Sequence, residues 1–182
     1  MIGWIIGGVV VAAGLVTWGY YNRFVVLENR IDNSLSQIDV QLKRRADLIP
    51  NLIETVKGYA KHEKEAIQAV TDARKALISA KDLSKRVDAD KQLDGALGKL
   101  FAIAEAYPDL KANTNFLELQ QELTATEDKV AYSRQFYNDS ILSYNNLYKA
   151  FPGVMFAKMF GKTAKQYLEI TAAEREVVKV KF

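Results

Sequence analysis

The chain has 182 residues with 25 Lys and Arg against 22 Asp and Glu, and a net charge of +3 is too mild to point to nucleic acid. Cysteine is absent and histidine occurs once, which excludes disulfides, thiol nucleophiles, thiolate metal sites and the paired Glu-x-x-His motifs of a di-iron bundle. Prolines number three, and half of the ten glycines fall before Tyr20, so the rest of the chain reads as long, rarely broken helices.

No charged side chain precedes Arg23. As a helix, the apolar run from Ile2 to Tyr21 would extend roughly 30 Å at about 1.5 Å per residue, the thickness of a bilayer's hydrocarbon core. Trp4 at one end, and Trp18, Tyr20 and Tyr21 at the other, are placed as interfacial anchors, with Arg23 marking the water. The run lacks the basic start and short apolar core of a signal peptide, although Val11-Ala12-Ala13 resembles a weak cleavage site, so it is expected to be retained as a single span over residues 1–22. Gly3, Gly7 and Gly14 share one face of that helix, a groove suited to close packing with another membrane helix or a second copy. Lys and Arg accumulate after the span (Arg23, Arg30, Lys43, Arg44, Arg45) and none precedes it, which predicts the N-terminus outside and the C-terminal domain in the cytoplasm.

After the span the apolar residues follow a seven-residue repeat. Leu35, Leu42, Ile49, Val56, Val70 and Leu77 share one register, with Ile31, Ile38, Leu52, Tyr59, Ala66 and Ala73 on the companion positions. Arg45 and Glu63 interrupt this seam. A first helix is predicted from about Val25 to Ala80, kinked where Pro50 withholds an amide from the Ala46 carbonyl; the alternative is two helices broken at Asp47–Ile49. A second helix is predicted from Ser84 to Tyr107, ended by Pro108 and Asp109. The third starts at a cap on Asn113 or Thr114 and carries Phe116, Leu123, Val130, Tyr137, Tyr144 and Phe151 at seven-residue intervals, with Leu119, Thr126, Ser133, Ser140 and Leu147 beside them. Pro152 and Gly153 stop it. A short apolar piece follows from Val154 to Phe160, then a last helix over Thr163 to Arg175, and an extended tail from Val178 to Phe182.

The pattern predicts an all-α protein: a transmembrane helix, a bundle of three to four long, coiled-coil-like antiparallel helices over residues 23–152, and short amphipathic helices with an extended tail over residues 153–182, packed on or next to the bundle. His62, among Lys61, Glu63, Lys64 and Glu65, reads as a solvated helix residue, and Glu118, Glu122, Glu127 and Asp128 as the wet face of the third helix. Lys43-Arg44-Arg45 is a compact basic cluster, a solvated turn on one reading and a contact for anionic lipid or an acidic partner on the other. No phosphate-cradling glycine loop or nucleophile elbow occurs, and neither a cofactor nor a catalytic residue is expected.

Several runs closely resemble the LemA family of bacterial membrane proteins. They are Gln37 to Arg45 (QIDVQLKRR), Asp47 to Leu52 (DLIPNL), Val56 to Ala60 (VKGYA), Ala104 to Asn113 (AEAYPDLKAN) and Phe136 to Asp139 (FYND). The resemblance covers nearly the whole chain and implies a helical bundle behind an N-terminal span. It also implies a membrane-anchored scaffold or accessory protein with no agreed catalytic residues to carry over. The expected function is therefore a single-pass scaffold or adaptor whose cytoplasmic bundle binds protein partners or itself. The alternatives are an accessory subunit of a membrane hydrolase or protease, and a membrane organiser that binds anionic lipid through Lys43–Arg45 and Val154–Phe160.

Overall fold

The computed structural model describes residues 1–168, and among them every regular element is a helix. In chain order these are α1 (Ile2–Tyr59), α2 (Lys64–Ser79), α3 (Leu83–Ala104), the single turn α4 (Pro108–Lys111), α5 (Thr114–Lys149) and α6 (Gly153–Met159). The chain forms two compact units: Gln37–Ser133 makes one, and Met1–Ser36 with the chain from Arg134 onward makes the other.

The 37–133 unit follows the seven-residue pattern. Leu42, Ile49, Leu52, Val56, Val70, Ala73 and Leu77 are buried, as are Leu93, Leu97 and Leu100 of α3 and Phe116, Leu123 and Val130 of α5. Polar contacts give the helix directions. Arg74 of α2 meets Ala46, Arg86 and Asp90 of α3 meet Asp39 and Arg45, and Glu122 of α5 meets Arg44 while Asn113, just before α5, meets Tyr59. Thus α3 runs with α1, and α2 and α5 run against it. The Asn113 side-chain carbonyl accepts the Phe116 amide at 3.0 Å, so Asn113 caps α5.

The alternative of two helices broken at Asp47–Ile49 does not occur, and the single helix expected to reach Ala80 is instead α1 and α2, parted after Tyr59. Helix α1 continues through Pro50 to Tyr59, and the chain leaves the helix only over Ala60–Glu63. The Ala46 carbonyl, which the proline ring cannot serve, accepts a hydrogen bond from the half-buried Arg74 Nε at 2.7 Å. A guanidinium from α2 therefore stands in for the missing amide. Tyr59, expected in the seam, is 43% exposed, and its hydroxyl accepts from the Asn113 amide nitrogen at 3.0 Å.

In the other unit, Phe24, Ile31, Ile141, Tyr144, Leu147 and Ala157 form the core, with Tyr20, Leu27, Tyr137, Tyr148, Phe156 and Phe160 packed against it. Phe24 meets Tyr144 edge to face, and the Arg30 guanidinium lies over the Phe136 ring at 4.9 Å, so here too α5 runs against α1. Lys162 donates to Glu28 at 2.7 Å, and Asn145 and Asn138 each exchange two hydrogen bonds with the backbone, at Lys165 and Leu168. Burial, and then the nearby charge of Glu28, push the Tyr144 hydroxyl up to about 12.

Helix α5 ends at Lys149, so Phe151 is not in its seam but in the turn before α6, 81% exposed. That turn needs Gly153, because a Cβ there would lie 2.1 Å from the Leu147 carbonyl oxygen. Of the last helix expected over Thr163–Arg175, residues 163–168 are described and are not helical. Its remainder and the tail from Val178 to Phe182 lie outside the described residues.

If Arg74 serves the carbonyl stranded by Pro50, the two positions are coupled. Arg74→Met is expected to cost about 1–3 kcal/mol, the range for leaving a buried polar group unsatisfied. In a Pro50→Ala background, where an amide returns to Ala46, the same change should cost measurably less. Equal costs in urea unfolding of the two backgrounds would show that the contact contributes nothing.

Candidate functional site

Lys43, Arg44 and Arg45 do not form one surface cluster. Lys43 is exposed and pairs along the helix with Asp47 at 3.2 Å, and Arg44 reaches Glu122 of α5 at 2.6 Å with both side chains about half exposed. Pairs of that kind are worth little. Arg45 lies inside the unit with 1% of its side chain exposed. It donates to Asp90 at 2.7 Å, to Asp94, and at 3.4 Å to Glu127, which brings α1, α3 and α5 onto one guanidinium.

The electrostatics follow from burial and opposing charge. Burial alone would make the Arg45 proton easier to lose, but Asp90 and Asp94 outweigh it and hold the group above the ordinary arginine value. Glu127 is shifted upward, first by partial burial and then by the negative charge of Asp94, with Arg45 pulling the other way. The carboxylates are thus already engaged by a fixed internal cation. Such a network joins helices.

Two further features lie on the 37–133 unit. A groove of about 280 Å³ is lined by Asp39, Leu42, Ala46, Leu77, Ile78 and Arg86, with Ile78 exposed at its edge. His62 is exposed in the break between α1 and α2, while the neighbouring Glu63 accepts the Tyr107 hydroxyl at 2.8 Å.

The expected membrane residues all lie on α1. Gly3, Gly7 and Gly14 have open space where a Cβ would stand, so the glycine face is free in the single chain. Trp4 and Trp18 are exposed, as are Tyr21 and Arg23, but Tyr20 is partly buried, stacked on Phe156 of α6 with ring centroids 4.5 Å apart. Tyr21 meets Phe160 edge to face at 5.4 Å. Sequence reasoning missed this pairing of the span's end with α6, and it missed the carboxylates around Arg45. A cation in an apolar seam was the available signal for the second.

Fold and site together define an all-helical protein, among its described residues, with one long apolar N-terminal helix and an internal ion network around Arg45. The LemA family model matches residues 34–182, and the chain belongs to the LemA family. Protein LemA of Metamycoplasma hominis is 30% identical over 129 residues, covering 70% of this chain and 59% of that protein, so the match spans about three fifths of that relative's length. Magnetosome protein MamQ of Magnetospirillum gryphiswaldense and Magnetosome protein MamQ 2 of Paramagnetospirillum magneticum are each 24% identical over 185 aligned positions, 87% of this chain and 68% of theirs. None of these names denotes an enzyme. The apolar helix and these relatives fit a membrane-associated protein.

Removing the cation should be severe. Arg45→Met leaves buried carboxylate without its partner and is expected to cost about 3–5 kcal/mol in unfolding of the full chain. Glu127→Gln should behave differently. Because the Glu127 proton is held more tightly folded than unfolded, its contribution is present below the ordinary glutamate value and is lost as pH rises through the raised one. Wild type should therefore lose stability relative to Glu127→Gln across that window. A variant that becomes the less stable protein as pH rises there would reverse the sign.

Proposed function

We propose that the chain is a single-pass membrane-anchored scaffold: residues 1–22 cross the bilayer, and the helical domain on the cytoplasmic side binds protein partners or further copies. One observation carries this reading. Among the described residues the apolar start of α1 is left uncovered apart from Tyr20 and Tyr21 near its end, yet it continues without a break into a folded helical unit whose buried Arg45 is paired with carboxylates. An apolar helix of that length, left largely uncovered by the described residues, calls for lipid, and the helical unit beyond it is read as working through its surface. The groove beside Ile78, apolar with Asp39 and Arg86 at its rim, is the face that best fits a partner helix. The magnetosome naming of the MamQ relatives stays with those proteins.

Orientation is tested with a reporter active only outside the cytoplasm, fused after Phe182; it should stay silent, and activity would reverse the topology. Assembly is tested by in-cell crosslinking. The glycine face should pack against another span, so Gly7→Leu is expected to weaken crosslinks between membrane segments while leaving insertion and the melting of the helical domain unchanged. Wild-type crosslinking in Gly7→Leu would make the glycine face incidental and leave assembly to the bundle.

A further inference from the structure

The partner contacts along α1 give the height of the turn between α5 and α6 in the unit that contains the span. Phe136 of α5 lies at Arg30, and Tyr144 lies at Phe24. Both helices rise about 1.5 Å per residue, so continuing this antiparallel course carries the end of α5 down α1 toward Trp18 and Tyr20. A second contact agrees: Ala150, Phe151 and Gly153 line one cavity of about 250 Å³ with Tyr20 and Arg23. The chain then turns back. Phe156 stacks on Tyr20, Phe160 meets Tyr21 and Phe24, and Lys162 pairs with Glu28, each step further from the apolar end of α1.

The lowest point of this excursion is also the most apolar and least covered. Phe151 is 81% exposed and Met155 is 60% exposed, four residues apart, while Lys149, Lys158 and Arg23 are exposed around them. A large aromatic ring left in water at the tip of a turn that only Gly153 permits has no explanation within the chain. Beside a transmembrane helix, at the height of its interfacial aromatics, it has one.

We propose that the α5–α6 turn is a second membrane foothold: Phe151 and Met155 enter the headgroup and upper acyl region of the bilayer that α1 crosses, with the surrounding cations facing lipid phosphates. The occupant is the lipid surface, because the turn is continuous with the span's own interfacial belt of Trp18, Tyr20 and Tyr21. Two footholds restrict the tilt and rotation of α1, which a single span leaves to its neighbours and anchors. This inference rests on the reading of α1 as a span.

The absence of cysteine makes the test direct, since each introduced thiol is unique. The full chain is reconstituted in vesicles of phosphatidylethanolamine and phosphatidylglycerol, with a polarity-sensitive fluorophore on Phe151→Cys, Met155→Cys, Asp139→Cys or Val10→Cys. Lipids carrying a nitroxide near the headgroup should quench the probes at 151 and 155 several-fold more than the probe at Asp139, which is exposed on α5 well above the turn. Deep nitroxide lipids should quench the probe at Val10. Quenching at 151 no stronger than at 139, with Val10 quenched, overturns the foothold and leaves the span intact. Loss of quenching at Val10 refutes the span itself, and the foothold with it. Emission at 151 that shifts to the blue only as protein density rises, without lipid quenching, would show that a second copy covers the turn, and it also overturns the proposal.

Discussion

A buried guanidinium tolerates almost no freedom in how its neighbours are arranged, and Arg45 imposes that constraint on the 37–133 unit. Its charge is removed from water, so folding is favourable only when Asp90, Asp94 and Glu127 reach it together. Asp90 and Asp94 are one turn apart on α3, and Glu127 is on α5. A slip of one turn in α3 would cost Arg45 one of its two α3 carboxylates. Apolar seams built from leucine, isoleucine and valine tolerate such slips more readily, because one aliphatic side chain can replace another. The network therefore acts on register more than on net stability, where a buried ion pair gains little over an apolar replacement.

The same logic accounts for Pro50. An orphaned carbonyl inside a bundle is costly, and the usual remedies are a kink or a broken helix. Here a long side chain from the neighbouring helix supplies the donor, so α1 passes through without an end. The helix that begins as the apolar segment thus also carries Arg45.

Much of this was legible in the sequence. The seven-residue spacing of Leu42, Ile49 and Val56, and of Phe116, Leu123, Val130 and Tyr144, marks side chains that are buried, and Asn113 marks the start of α5. What could not be read depends on partners distant in sequence. The rule that proline breaks helices is local, whereas its exception rests on Arg74, 28 residues beyond the carbonyl it serves. Asp90 and Asp94 look like the wet face of a weakly apolar helix until α3 is laid along α1. That the Tyr20 ring stacks on Phe156 could not be read from its place among the aromatics at the end of the apolar run. Phe151 continues a perfect heptad on paper, but the helix has already ended at Lys149 and the register no longer dictates what it faces.

The burial of Arg45 also bears on how the charge pattern should be weighed for topology. A folded-state view would discount it, since the basic run then offers only Lys43 and Arg44 to the surface, both paired with carboxylates. Orientation, however, is decided while the span inserts, before α3 and α5 exist to neutralise anything, and acidic residues count for little at that stage. Within the stretch of about 15–20 residues that weighs most, the cations after the apolar segment are Arg23 and Arg30, and Arg45 lies beyond it. The cations that bear on orientation are therefore the same whether or not Arg45 is buried.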